Sequence, residues 1–238
     1  MSNSEHNDPE EMACTPVPID ISDFNPKSVL PYGLTIQNIH DAMEDFLGFL
    51  GFISKQLNER GNPRLESFLM QANFSSIVGE YMTTTIPKFC DTIAKNNYHN
   101  GHPDMVPKGM YPGDSVQHDI HGIEVKGSRY LRGWQGHNAE DAWLMVFCFD
   151  ASRPTDPGNG LPPRPFEYLG VFGAQLNKED WKFSGRSATS RRTITASVTT
   201  SGYEKMFGNW IYKSPREDLP WNAAPKPARR GKASTATR

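Results

Sequence analysis

Residues Trp143 to Phe149 read Trp-Leu-Met-Val-Phe-Cys-Phe, an unbroken apolar run that ends at Asp150. A run this short and this rich in aromatic and β-branched side chains predicts a central strand buried on both faces, so its sheet needs cover on each side. A further strand is expected over Phe166–Leu176, reached through the surface loop Arg153-Pro154-Thr155-Asp156-Pro157-Gly158-Asn159-Gly160. Thr193-Ile194-Thr195-Ala196-Ser197-Val198-Thr199 alternates strictly, which places Ile194, Ala196 and Val198 on one face and a row of hydroxyls on the other.

Helices are available as cover. Ile36, Ile39, Met43, Phe46, Leu50, Ile53 and Leu57 fall at alternating steps of three and four, forming one apolar stripe on a helix that ends at Gly61-Asn62-Pro63. The stripe fits a helix lying on a sheet, and the same spacing is compatible with a seam between two copies. A second helical region is expected from Arg64 to Asn97, broken near Asn73-Phe74 and disturbed at Pro87, with Ile77, Val78, Tyr81, Met82 and Ile86 on its buried side. Ser201 with Glu204 reads as a capping box for a short helix, and Trp210-Ile211-Tyr212 closes the ordered part.

The flanks differ from this body in composition. Residues 1–30 carry six acids and one base, Lys27, leaving 24 bases against 21 acids over residues 31–238. This acidic segment has no hydrophobic period and is expected to be disordered or loosely attached; the folded domain is expected over residues 31–221, and residues 222–238 read as a flexible basic tail. The balance from Lys178 to Arg238 is strongly basic, a polarity that suits a nucleic-acid groove. No run of eighteen apolar residues exists, and Met-Ser-Asn-Ser-Glu-His lacks the basic and apolar regions of a signal peptide, so no membrane partner and a cytoplasmic location are expected. Cys14, Cys90 and Cys148 are odd in number and widely spaced, which argues against a disulfide framework and a cysteine-rich zinc site. Neither a P-loop, a dinucleotide glycine fingerprint nor a serine elbow is present.

Ile123-Glu124-Val125-Lys126 carries the chemistry. On a strand, Ile123 and Val125 enter the core while Glu124 and Lys126 emerge together on the opposite side. With Pro103-Asp104 twenty residues upstream of the glutamate, the pattern can gather two carboxylates and an ammonium around one phosphate. Carboxylates are hard oxygen ligands suited to Mg²⁺, and Lys126 would sit beside the attacking water or a phosphate oxygen.

In these residues the chain resembles the PD-(D/E)XK nuclease superfamily, to which many type II restriction endonucleases belong. The resemblance rests on Pro103-Asp104 and Glu124-Val125-Lys126, and more loosely on the arrangement from about Ser75 to Phe149. It implies an α/β fold in which helices flank a central mixed β-sheet, a restriction-endonuclease-like core. It also implies Mg²⁺-dependent hydrolysis of double-stranded DNA, with Mn²⁺ as a substitute ion, and often a homodimer. Asp104, Glu124 and Lys126 would be the catalytic residues, and Glu80, on the helix before the metal strand, would complete the metal shell with Asp104 and Glu124. The gap from Asp104 to Glu124 is long for the family, so Asp114 and Asp119 remain alternatives to Asp104.

Further residues are expected to touch DNA. Ser128, Gln135 and His137 lie at or just after the metal strand, while Arg186, Arg191 and Arg192 share a stretch rich in hydroxyls that can bind phosphate oxygens or a guanine edge. Asp180-Trp181-Lys182 repeats the acid-x-lysine spacing, but the polar run before it reads as a turn. His99, His102, His118 and His121 raise a histidine-metal hydrolase as an alternative, and a non-catalytic DNA-binding protein on the same fold is another. His118 and His121 would diverge on an approaching strand.

Overall fold

A computed structural model describes residues 8–136, 138–139, 141–183 and 195–223. In chain order its helices and strands are α1 (Pro9–Ala13), α2 (Ile36–Asn58), α3 (Leu65–Phe68), α4 (Gln71–Phe89), β1 (Ile93–Lys95), β2 (Met105–Pro107), β3 (Ile123–Ser128), β4 (Gln135–Gly136), β5 (Ala142–Asp150), β6 (Glu167–Leu176), β7 (Trp181–Phe183), β8 (Ala196–Val198), α5 (Thr200–Gly208) and β9 (Trp210–Lys213). The protein is α/β with a mixed sheet. Six strands run in the order β1-β2-β3-β5-β6-β9, with β3 and β5 parallel and the other pairs antiparallel; β4, β8 and β7 form a separate three-stranded sheet.

β5 is the centre of this arrangement. Trp143, Met145, Phe147 and Phe149 enter the core under α2 and α4, whereas Leu144, Val146 and Cys148 enter a second core with Trp181, Ala196 and Met206 of the small sheet and α5. Strict alternation along a strand apolar on both sides thus builds two cores, and the continuous run is the signature of that double burial.

α2 begins at a reciprocal cap between Thr35 and Asn38 and buries Ile39, Met43, Phe46 and Leu50 of the expected stripe. The second helical region differs from expectation. It breaks at Leu69–Met70, both non-helical, rather than near Asn73-Phe74, because Phe74 is a fully buried core residue inside α4. Pro87 falls in the last turn of α4, and residues 93–95 form β1 instead of continuing as helix. At α5 the cap is Thr199, whose hydroxyl accepts the Gly202 N–H, not Ser201.

The expected loose segment over residues 1–30 is corrected for residues 8–30. Ala13, Cys14 and Phe24 are buried, the Val17 N–H donates to Phe166, and Glu10 pairs with the buried Arg64 at 3.0 Å. Single apolar side chains spaced along an irregular segment can cover a core without any period, which is why composition misses them. No helix among the described residues is long and apolar enough to cross a membrane.

Candidate active site

β3 is paired along its whole length on one edge only. Its register with β5 is unbroken from Ile123 opposite Trp143 to Ser128 opposite Cys148, while β2 pairs with it at Met105 opposite Ile123. Beyond that point an edge amide needs another acceptor, and Asp104 supplies it: its Oδ2 accepts the Val125 N–H at 2.8 Å. Gly122 makes the approach possible. Its φ is +154°, and a Cβ there would lie 2.2 Å from the Met105 carbonyl oxygen and 2.3 Å from Pro103 Cγ.

Ile123 and Val125 are buried in the helix-side core, and Glu124 and Lys126 lie on the other face, as the alternation requires. Glu124 is clamped from two sides: Oε1 accepts from Lys126 Nζ at 2.7 Å, and Oε2 lies 3.0 Å from His102 Nδ1. An ionised carboxylate only accepts, so Nδ1 is the donor. The His102 ring stacks on His118, with centroids 5.2 Å apart. Beneath this loop the buried Asn96 donates to Pro103 and Val116 carbonyls and accepts from the Tyr98 and Val116 N–H groups, fixing the segment that carries His102 and Asp104.

The two carboxylates are driven apart in acidity. Burial and, next, the charge of Glu124 push Asp104 up to about 7, against the opposing pull of the Val125 N–H and Lys126. Burial opposes charge on Glu124 as well, but the hydrogen bond from His102 and the Lys126 ammonium outweigh it and hold Glu124 down to about 2.

α4 forms one wall of the site. A Cβ on Gly127 would lie 2.4 Å from the Ser75 carbonyl oxygen, and one on Gly79 would lie 3.3 Å from the Gly127 nitrogen, so two glycines allow helix and strand to meet backbone to backbone. Glu80, one residue on, stands exposed at the rim, 3.5 Å from Lys95 Nζ. Glu80, Lys95, His102, Asp104, Glu124 and Lys126 open into one cleft of about 1160 Å³. Its lining also includes His99 and His118 but not His121.

Other expected site residues lie elsewhere. Asp114 accepts the Gly109 N–H, and Asp119 accepts those of Ile120 and His121; both serve turns and neither lines the cleft. The Ser128 hydroxyl is bonded to Tyr130 within its own loop. Gln135 is exposed on β4, opposite Ser197 in the small sheet and outside the cleft lining. Asp180 is buried in the turn that precedes β7 and bonded to the Asn177 N–H, Ser201 and Lys205, a structural role. His137, Arg186, Arg191 and Arg192 lie outside the described residues. Sequence reasoning missed the part of His102 in clamping Glu124, the Asn96 pin and Lys95; only His102, adjoining Pro103-Asp104, carried a signal in its position.

The donor set fits a hard divalent cation. Two carboxylates face one polar cleft, burial and then the charge of Glu124 raise Asp104, and each oxygen of Glu124 keeps a second lone-pair direction beyond its present hydrogen bond. A tighter group exists on α2, where ligand atoms of His40, Asp41 and Glu44 lie within 4.8 Å of one another. There Nδ1 of His40 faces Asp41 at 3.2 Å and Nε2 faces Glu44 at 3.7 Å, so the carboxylates approach opposite nitrogens of the ring, a polar network along one helix. No family model, curated protein or solved structure matches the chain.

Proposed function

We propose that the protein is a Mg²⁺-dependent endonuclease acting on double-stranded DNA, with a restriction-endonuclease-like core of the PD-(D/E)XK kind and a cytoplasmic site of action. The observation that carries the reading is the convergence of Asp104, Glu124 and Lys126 in a single open polar cleft. Asp104 and Glu124 would hold the cation, with Glu80 at the rim; Mn²⁺ would substitute. When bound, the ion supplies Lewis-acid stabilisation of charge developing on a phosphoryl oxygen. Lys126, whose ammonium is held by Glu124 at 2.7 Å, is placed to donate to a phosphate oxygen or to orient a water for in-line attack. Lys95 offers a second cation at the rim for the DNA backbone.

The test is supercoiled plasmid incubated with and without Mg²⁺, using wild type, Glu124→Ala and Lys126→Ala. Nicking or linearisation by wild type only with Mg²⁺, absent in both variants, is the expected result. Cleavage by either variant at the wild-type rate would remove the assignment, and DNA binding without cleavage by wild type would make the protein a non-catalytic binder on this fold.

A further inference from the structure

We propose that His102 is a positioning residue that fixes the carboxylate plane of Glu124 for cation binding, an inference that rests on the reading of Asp104 and Glu124 as the cation-holding pair. A glutamate side chain has three torsions to settle, and one hydrogen bond leaves its carboxylate free to swing about the bonded oxygen. Lys126 supplies such a bond to one oxygen only, Oε1. His102 supplies the second bond, to the other oxygen, from a ring whose own position is determined.

A ring stack, two backbone hydrogen bonds and the packing of the preceding glycine determine it. The ring stacks on His118 at an interplanar angle of 25°. The backbone on either side is tied by the His102 N–H donating to the Gln117 carbonyl at 3.0 Å and the Asp119 N–H donating to the His102 carbonyl at 2.9 Å. Gly101 packs where a Cβ would lie 2.5 Å from Asn96 Nδ2 and 2.6 Å from the Val116 carbonyl oxygen, so the loop approaches the Asn96 pin as closely as a chain can. A ring donor on Oε2 and the Lys126 ammonium on Oε1 together leave the carboxylate one orientation, with lone pairs remaining for a cation.

The alternative is that His102 only stabilises its loop, and three variants separate the two. His102→Phe keeps a ring against His118 but loses the donor, His102→Asn keeps a donor but loses the ring, and His102→Ala loses both. Mn²⁺ binding is read by the loss of its free-ion paramagnetic resonance signal, alongside thermal melts and plasmid nicking. The expected result is that Phe and Ala variants bind Mn²⁺ roughly tenfold to a hundredfold more weakly, as loss of an outer-shell partner usually produces, while Asn restores most of the affinity. Wild-type affinity in the Phe variant overturns the proposal, as does a loss of affinity in all three that follows their melting temperatures. Wild-type protein that neither binds Mn²⁺ nor nicks DNA overturns the underlying assignment of the carboxylates; wild type that does both beside an unaffected Phe variant overturns this inference alone.

Discussion

Asp104 and Glu124 are the same chemical group held in opposite protonation tendencies, because two donors of positive or partial positive charge grip Glu124 against its burial, while burial and then the Glu124 charge act on Asp104, which has one backbone N–H to oppose them. The linkage follows from these directions. Asp104, raised to about 7, contributes stability that is present below the ordinary carboxylate range and lost progressively as pH rises from that range through about 7; Glu124, held at about 2, contributes stability present above that range and lost progressively as pH falls from it through about 2. In metal-free buffer wild type is therefore expected to lose on the order of 1 kcal/mol between pH 6 and pH 8 relative to Asp104→Asn, allowing for solvent screening. Urea midpoints of both proteins at the two pH values measure this, and equal pH dependence would show that Asp104 is not held neutral. At this scale the alternation of Ile123 to Lys126 was legible because period two is a property of the local chain. The clamp on Glu124 was not, since His102 meets it across a sequence separation of 22 through a fold that no local pattern specifies. Asn96 is illegible for the same reason: its four bonds go to Tyr98, Pro103 and Val116, and an isolated asparagine in sequence resembles any turn residue.

Between elements, the contact that shapes the site is α4 against β3, and it is set by absent side chains. With Cβ positions at Gly127 only 2.4 Å from the Ser75 carbonyl oxygen and 2.9 Å from Val78 Cβ, Gly127→Ala must push helix and strand apart. The expected cost is about 1–3 kcal/mol from overpacking, and the cleft wall bearing Glu80 moves with the helix. Gly48, exposed within α2 with nothing within 4 Å of its Cβ position, supplies the opposite sign: Gly48→Ala should stabilise by about 0.5–1 kcal/mol through helix propensity. Urea denaturation of the two variants checks the pair, and a neutral Gly127→Ala would mean that the helix–strand approach is looser than described. The α2 stripe and the β5 run were readable because each is long and periodic. The break before α4 was misplaced by a few residues: Asn73 resembles a terminator, yet the neighbouring Phe74 has a core position that holds the helix together through it.

For the whole molecule, the decisive relation is between the two-sided sheet and what covers it. The double-faced apolar run at β5 announced that both sides are covered, but the sequence did not disclose that part of the helix-side cover comes from the acidic N-terminal segment. Phe24 is 3% exposed and its ring lies 5.0 Å from that of Tyr212, while Arg64, 1% exposed, donates from its guanidinium to Glu10 and to the Ala13 carbonyl of this segment. Deleting residues 1–25 therefore strips a buried aromatic, worth about 1.5–3 kcal/mol, and removes one carboxylate and one carbonyl from a buried cation. Arg64 keeps Glu66, Ser152 and the Arg164 carbonyl, so its loss is partial rather than complete. The sum is about 4 kcal/mol, a large fraction of an ordinary domain's stability, and at about 2–4 °C per kcal/mol for a chain of this size it corresponds to a melting temperature lower by roughly 10 °C. A thermal melt of the truncated protein beside the full chain decides the matter: coincident transitions would return residues 8–25 to the status of an attached tail, whereas the expected drop makes the acidic segment part of the fold that supports the cleft.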